Sequence, residues 1–307
     1  MSGPRPEGDA EVARWARDLG LPGIADIHTH FLPPRMTRSV WAYFDEPGPL
    51  VGREWPIAYK WPEADRVAHL ATMGVRLFSA LAYAHRPDMA ADLNEWTLGF
   101  AAATPGCLPS MTFYPEPGVM AYVTAALDRG ARIAKLHLQV ADIDPADPLL
   151  DPVWGLLTEA RLPVVVHAGS GPVAHGHTGP GPLEAVLRRH PRLVAVVAHL
   201  GAPEYDGFFA LARRYSDVAL DTTMACTDFF DEVAPIPAGL LPGLRALGLD
   251  GKVLLGSDFP NIPYPYAHQL AALARLGFGD EWLRAVCWHT PLAVVGPAGA
   301  AHLAPVR

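Results

Sequence analysis

Cysteine is scarce in this chain. Cys107, Cys226 and Cys287 are the only three in 307 residues, and no CxxC pair is present. An odd, scattered set argues against a disulfide framework and suits a reduced, cytoplasmic protein. Long apolar runs are also missing, so no segment reads as a membrane span. The stretch Met1 to Ala10 is polar and lacks the apolar centre of a signal peptide. Positive charge is in deficit, with a net charge of -8 and an isoelectric point of about 5.9. Nucleic acid and anionic membrane are therefore poor partners, while a small-molecule substrate is left open, since its site can carry its own local charge.

What is present points to one large domain. Half the residues are hydrophobic, enough for a sizeable core. Extended and helical patterns alternate along nearly the whole length. The predicted strands are Gly23 to His30, Val75 to Tyr83, Leu108 to Tyr114, Arg132 to Val140, Leu162 to His167, Leu193 to Leu200, Asp217 to Thr222 and Lys252 to Ser257. Each is followed by a helix or a helix-length segment, and the valine-rich runs are apolar on both faces, as buried parallel strands are. Eight such units predict an α/β fold, a (β/α)8 barrel of the TIM type, over residues 1–307. An open doubly wound sheet is the rival. It would favour a Gly-rich phosphate loop after the first strand, and the residues there are His28-Thr29-His30-Phe31-Leu32-Pro33-Pro34.

One stretch breaks the rhythm. Phe31 to Trp61 shows no period and carries Trp41, Tyr43, Phe44, Trp55 and Tyr59. It reads as an insertion over the barrel mouth. It would be a lid with Arg35 gripping a substrate carboxylate, a hydrophobic plug, or a subunit contact in a homodimer.

Functional groups of such barrels gather at the C-terminal strand ends. His28 and His30 end the first strand, and residues i and i+2 of a strand share a face. Lys135 and His137 lie near the end of the fourth strand, His167 ends the fifth, His199 the sixth and Asp258 the eighth. Singly, each histidine reads as a hydrogen-bonded core residue. Five imidazole or carboxylate groups at the ends of four strands read as a metal site. Asp26 is either a support for a ligand histidine or a buried, satisfied carboxylate. His175 and His177, in the Gly169 to Gly181 loop, read as exposed loop histidines, and Cys226 as a free thiol.

Jointly these segments resemble the amidohydrolase superfamily, in particular the amidohydrolase-related branch that includes aminocarboxymuconate-semialdehyde decarboxylase. The matching residues are Asp26 to His30, Val164 to Gly169, Val196 to Gly201 and Leu254 to Pro260. The resemblance implies His28, His30, His167 and Asp258 as ligands of one divalent metal, zinc above all. It implies His199 as the handler of the water's proton, with Asp258 able to share that work. It implies hydrolysis of a C–N or C–O bond by metal-activated water, or non-oxidative decarboxylation of an unsaturated or aromatic acid. Lys135 matches the position of a carbamylated lysine that bridges two metals in some relatives. Its other reading, the one preferred, is an ordinary charged lysine that binds an anionic substrate or pairs with a mouth carboxylate, with His137 as a further substrate contact. The chain departs from the branch at Trp288-His289-Thr290-Pro291, where an Asn-Ala pair is common.

Overall fold

Valine-rich segments buried on both faces decide the architecture, because a parallel strand needs cover on either side. The computed structural model describes residues 5–46, 54–171, 174 and 176–305. Its strands are β1 (Ile24–Asp26), β2 (Val75–Ser79), β3 (Cys107–Leu108), β4 (Ser110–Thr112), β5 (Ile133–His137), β6 (Val164–His167), β7 (Ala195–Val197), β8 (Val218–Asp221) and β9 (Val253–Leu254). All pair in parallel, as β1-β2-β3 in one sheet and β4 through β9 in sequence order in another. Pro109 makes the break between β3 and β4, because a residue without an N–H cannot donate to the ladder. The two short strands together fill the third barrel position. With helices between successive positions, the chain has the (β/α)8 fold.

At the other seam, the chain beyond β9 meets the chain beyond β1. Asp258 N donates to His28 O at 2.9 Å, and His30 N donates to Phe259 O at 2.7 Å. Just before that point Leu255 N donates to Val286 O at 2.9 Å. This carbonyl is free for a sequence reason. Ala285–His289 forms a π-turn in which Thr290 N bonds Ala285 O. The next donor in that register is Pro291, which has no N–H. The closing helical segment is accordingly three pieces: Asp280–Arg284, the π-turn and Thr290–Ala300.

The region 31–61 also differs from its sequence reading. Pro34–Asp45 is an α-helix with proline at its first position, where a fixed φ and a missing N–H do no harm. A residue that reads as a breaker here starts a helix. Residues 47–53 of this region lie outside the described residues. The remainder docks on the loop after β9. Trp41 Nε1 donates to Asn261 Oδ1 (3.1 Å), Trp55 Nε1 to Asn261 O (2.8 Å) and Ala58 N to Ile262 O (2.9 Å). The aromatic insertion therefore lies beside the strand end that carries Asp258. Among the described residues no helix is long and apolar enough to cross a membrane.

Asp9, at the start of the helix Asp9–Asp18, ties three distant segments together. It accepts Tyr59 Oη at 2.5 Å, His69 Nε2 at 2.8 Å and Ala267 N at 2.9 Å. Burial alone would raise its pKa, but His69 and the other donors hold it below the ordinary 3.8. Asp9→Ala is expected to cost about 2–3 kcal/mol of unfolding free energy at pH 7, read from urea denaturation. The depressed pKa fixes the sign of the pH dependence. The wild-type advantage is present above pH 3.8 and fades as pH falls through the folded-state value.

Candidate metal centre

Parallel strands bring their C-terminal ends to one mouth, and the chain places its chemistry there. The register of β5 on β6 sets His137 beside His167, and their rings stack at 4.0 Å with 12° between planes. His167 lies 4.7 Å from His199, His199 lies 5.6 Å from His28, and His28 lies 5.2 Å from His30, centroid to centroid. His28 is fully buried and His30 is 7% exposed, while the Asp258 side chain is 18% exposed. The cluster thus opens to the mouth at Asp258.

Hydrogen bonding fixes where the protons sit. A carboxylate only accepts, so His28 Nδ1–H donates to Asp221 Oδ2 at 2.8 Å. His30 Nδ1–H donates to the Leu81 carbonyl at 2.7 Å, and His199 Nδ1–H to the Thr223 carbonyl at 3.1 Å. The neutral form of each ring then carries a lone pair on Nε2. Those of His28 and His30 stand 3.2 Å and 2.9 Å from the same atom, Asp258 Oδ1. Acceptors at that separation repel unless a cation lies between them. Lys135 Nζ, 2.8 Å from His28 Nε2, supplies one positive donor.

The electrostatics suit ligands rather than charged histidines. Burial first, and then the Lys135 ammonium, push His28 down to about 4. Burial also lowers His199, and takes His137 and His167 well below the usual imidazole value. Lys135 is buried and falls to about 8. Burial should raise Asp258 and Asp221, yet His28 and the other histidines around them hold both below the ordinary carboxylate range. Neutral imidazoles facing an ionised carboxylate are the donor set that a zinc-like ion takes, so these residues fit a divalent metal.

The backbone around the cluster is strained. His199, Leu200, Met224, Cys226 and Asp258 all have φ between 54° and 66°, a conformation that side chains with a Cβ seldom adopt. Asp221 compensates part of this, since its Oδ1 accepts both His199 N and Thr223 N at 3.0 Å. Two glycines make room. A Cβ on Gly256 would lie 2.2 Å from Thr223 Oγ1 and 2.8 Å from His28 Cβ, and one on Gly169 would lie 2.2 Å from the Ala202 carbonyl.

The expected site residues fall in graded positions. His28, His30 and Asp258 meet directly. Ligand atoms of His28, His199 and Asp258 lie within 4.8 Å of one another, whereas His30 and His167 fall outside that group, and His167 Nε2 faces the Gly171 carbonyl at 3.2 Å. Lys135 enters the cluster through His28. His137 stacks on His167, and its Nδ1 accepts Val140 N at 3.2 Å. Arg35 is exposed on the helix Pro34–Asp45. Among the described residues His177 reaches Asp144, at 3.9 Å, and His175 lies outside the described residues. Burial pushes the Cys226 thiol up to about 12, far from a reactive thiolate. Asp26 accepts His28 N, Ser257 Oγ and Tyr266 Oη. Burial raises it to about 7, and its bond to His28 N supports the backbone at that histidine.

Three residues escape the sequence reading: Asp221, Thr223 and Tyr83. Asp221 orients the His28 ring, and Thr223 Oγ1 lies 3.0 Å from the same Nδ1. The available signal was position, because Asp221 ends the seventh strand just as the other residues end theirs.

A histidine–aspartate cluster at the C-terminal mouth of a parallel α/β barrel defines a class of site. The sequence gives the family: residues 25–296 match the amidohydrolase model Amidohydro_2, and the chain belongs to that family. Solved structures share the fold at low identity. An uncharacterised TIM-barrel protein of Bordetella bronchiseptica is 19% identical, with a TM-score of 0.68 over 89% of this chain and 99% of that one. A zinc-bound amidohydrolase of Burkholderia multivorans is 17% identical, with a TM-score of 0.60 and the same coverage. A 5-carboxyvanillate decarboxylase of Sphingomonas paucimobilis is 14% identical, with a TM-score of 0.52 over 93% of this chain and 99% of that one. No curated protein matches the sequence.

Proposed function

We propose that the chain is a metal-dependent hydrolase that cleaves a C–N or C–O bond of a small molecule, such as an amide, lactone or related ester. The observation that supports it is the approach of two imidazole lone pairs, on His28 and His30, to one oxygen of Asp258. His28, His30 and Asp258 would hold one divalent ion, with zinc the first choice for imidazole and carboxylate donors. His167 is the fourth donor in this reading, giving up its bond to Gly171. When bound, such an ion acidifies a coordinated water and polarises a substrate oxygen.

His199 takes the water's proton on Nε2. Its Nδ1–H is held by the Thr223 carbonyl and its backbone by Asp221, so the lone pair is aimed in advance. Lys135, near 8, is largely cationic at neutral pH and favours an anionic substrate. A carbamylated Lys135 bridging a second ion is the less favoured arrangement.

Decarboxylation of an unsaturated or aromatic acid is the second reading, because a lysine beside a metal site also attracts a carboxylate. A panel of lactones, amides and aromatic acids, given to zinc-loaded protein, separates the two. Acid release from a lactone or amide is expected. Release of CO2 without hydrolysis assigns the decarboxylase, and stoichiometric zinc with every substrate silent would sink both.

A further inference from the structure

Two polar groups at the mouth are left unused by the metal centre. His137 ends β5 with its ring between His167, 4.0 Å away, and Tyr83, 5.0 Å away. Its Nδ1 accepts Val140 N, so the neutral ring carries its proton on Nε2. Among the described residues nothing accepts that Nε2–H, and the atom opens to the mouth rather than being sealed in. The Tyr83 hydroxyl likewise meets no acceptor among the described residues, and its ring stands edge-on to His30 at 6.1 Å. Two neutral donors thus share one wall of the mouth, next to His30 and His167. Lys135, two residues before His137 on the same strand face, adds positive charge.

We propose that His137 and Tyr83 form a two-donor subsite that anchors a carboxylate of the substrate. The inference rests on the reading of this mouth as a small-molecule site and adds the substrate class. The chemistry is one of matching. A carboxylate has two acceptor oxygens and no donor, and this wall offers it an imidazole N–H and a phenol O–H.

The test uses the full chain labelled with 15N-histidine, titrated with benzoate by NMR in both zinc-loaded and zinc-free forms. The His137 signals are expected to show the Nε2–H tautomer and to shift with benzoate. His137→Phe and Tyr83→Phe are each expected to weaken benzoate about tenfold, while zinc content stays unchanged. His137→Gln keeps an N–H donor and is expected to keep most of the affinity. An Nδ1–H tautomer, unchanged benzoate affinity in either variant, or benzamide binding as tightly as benzoate would overturn the proposal. Loss of zinc from His137→Phe would move that residue into the metal set and overturn it as well. The hydrolase reading fails separately: wild-type protein that takes up no zinc defeats it, while benzoate contact with His137 is still read in the zinc-free form.

Discussion

His167→Ala is expected to lose both the metal and the activity, whereas His199→Ala keeps the metal and loses activity. Zinc per chain after dialysis, measured by elemental analysis, and turnover on the best substrate of the panel are the two readouts. Wild-type protein is expected to hold about one ion, as a mononuclear catalytic site does. Either variant is expected to lose roughly 10^3-fold or more in turnover, since several kcal/mol of transition-state stabilisation depends on the ion and its base. The contest between these two histidines is real, because the geometry sets His199 within 4.8 Å of His28 and Asp258 and leaves His167 outside. His199 is nonetheless the more rigid residue. Its backbone is fixed in a left-handed conformation and tied to Asp221, and its ring is tied to Thr223. His167 has one bond of 3.2 Å to a carbonyl, which ligation can replace. The reverse result, with zinc lost from His199→Ala and kept in His167→Ala, would exchange the two roles.

The strand ends carried the legible part of this site. His28, His30, His199 and Asp258 could be placed from the sequence because a parallel barrel sends every C-terminal strand end to one mouth, whatever the loops do. The strand assignments survive for the same reason, since buried parallel strands announce themselves as apolar runs on both faces. Features set by partners from elsewhere in the chain were not legible. Asp221 is a single acid at the end of an apolar strand, and its partner His28 is 193 residues away. Which nitrogen of His30 is free depends on the Leu81 carbonyl, 51 residues away. The helix Pro34–Asp45 was hidden because its stretch shows no apolar period, and the π-turn by the lack of any local pattern for i to i+5 bonding.

Asp221→Asn carries the other large expected effect, and its logic is one of protons rather than of shape. Asp221 Oδ1 accepts two backbone N–H groups, from His199 and Thr223, and Oδ2 accepts the Nδ1–H of His28. An asparagine that keeps its carbonyl on the two N–H groups must turn its NH2 towards His28. That ring then has to accept at Nδ1 and carry its proton on Nε2, the nitrogen 3.2 Å from Asp258 and 2.8 Å from Lys135. A ligand becomes a donor without any loss of volume. Zinc affinity is expected to fall by about 10- to 100-fold, the usual cost of disturbing a residue that orients a ligand. Turnover at subsaturating zinc should fall with it. The fold should hold, because the asparagine keeps both backbone bonds, so the urea midpoint is expected to move little. NMR of 15N-labelled histidine reads the tautomer directly. An unchanged Nδ1–H signal at His28 together with weakened zinc binding would mean that the Asp221 charge matters rather than its control of the ring. Unchanged zinc binding would remove Asp221 from the site altogether.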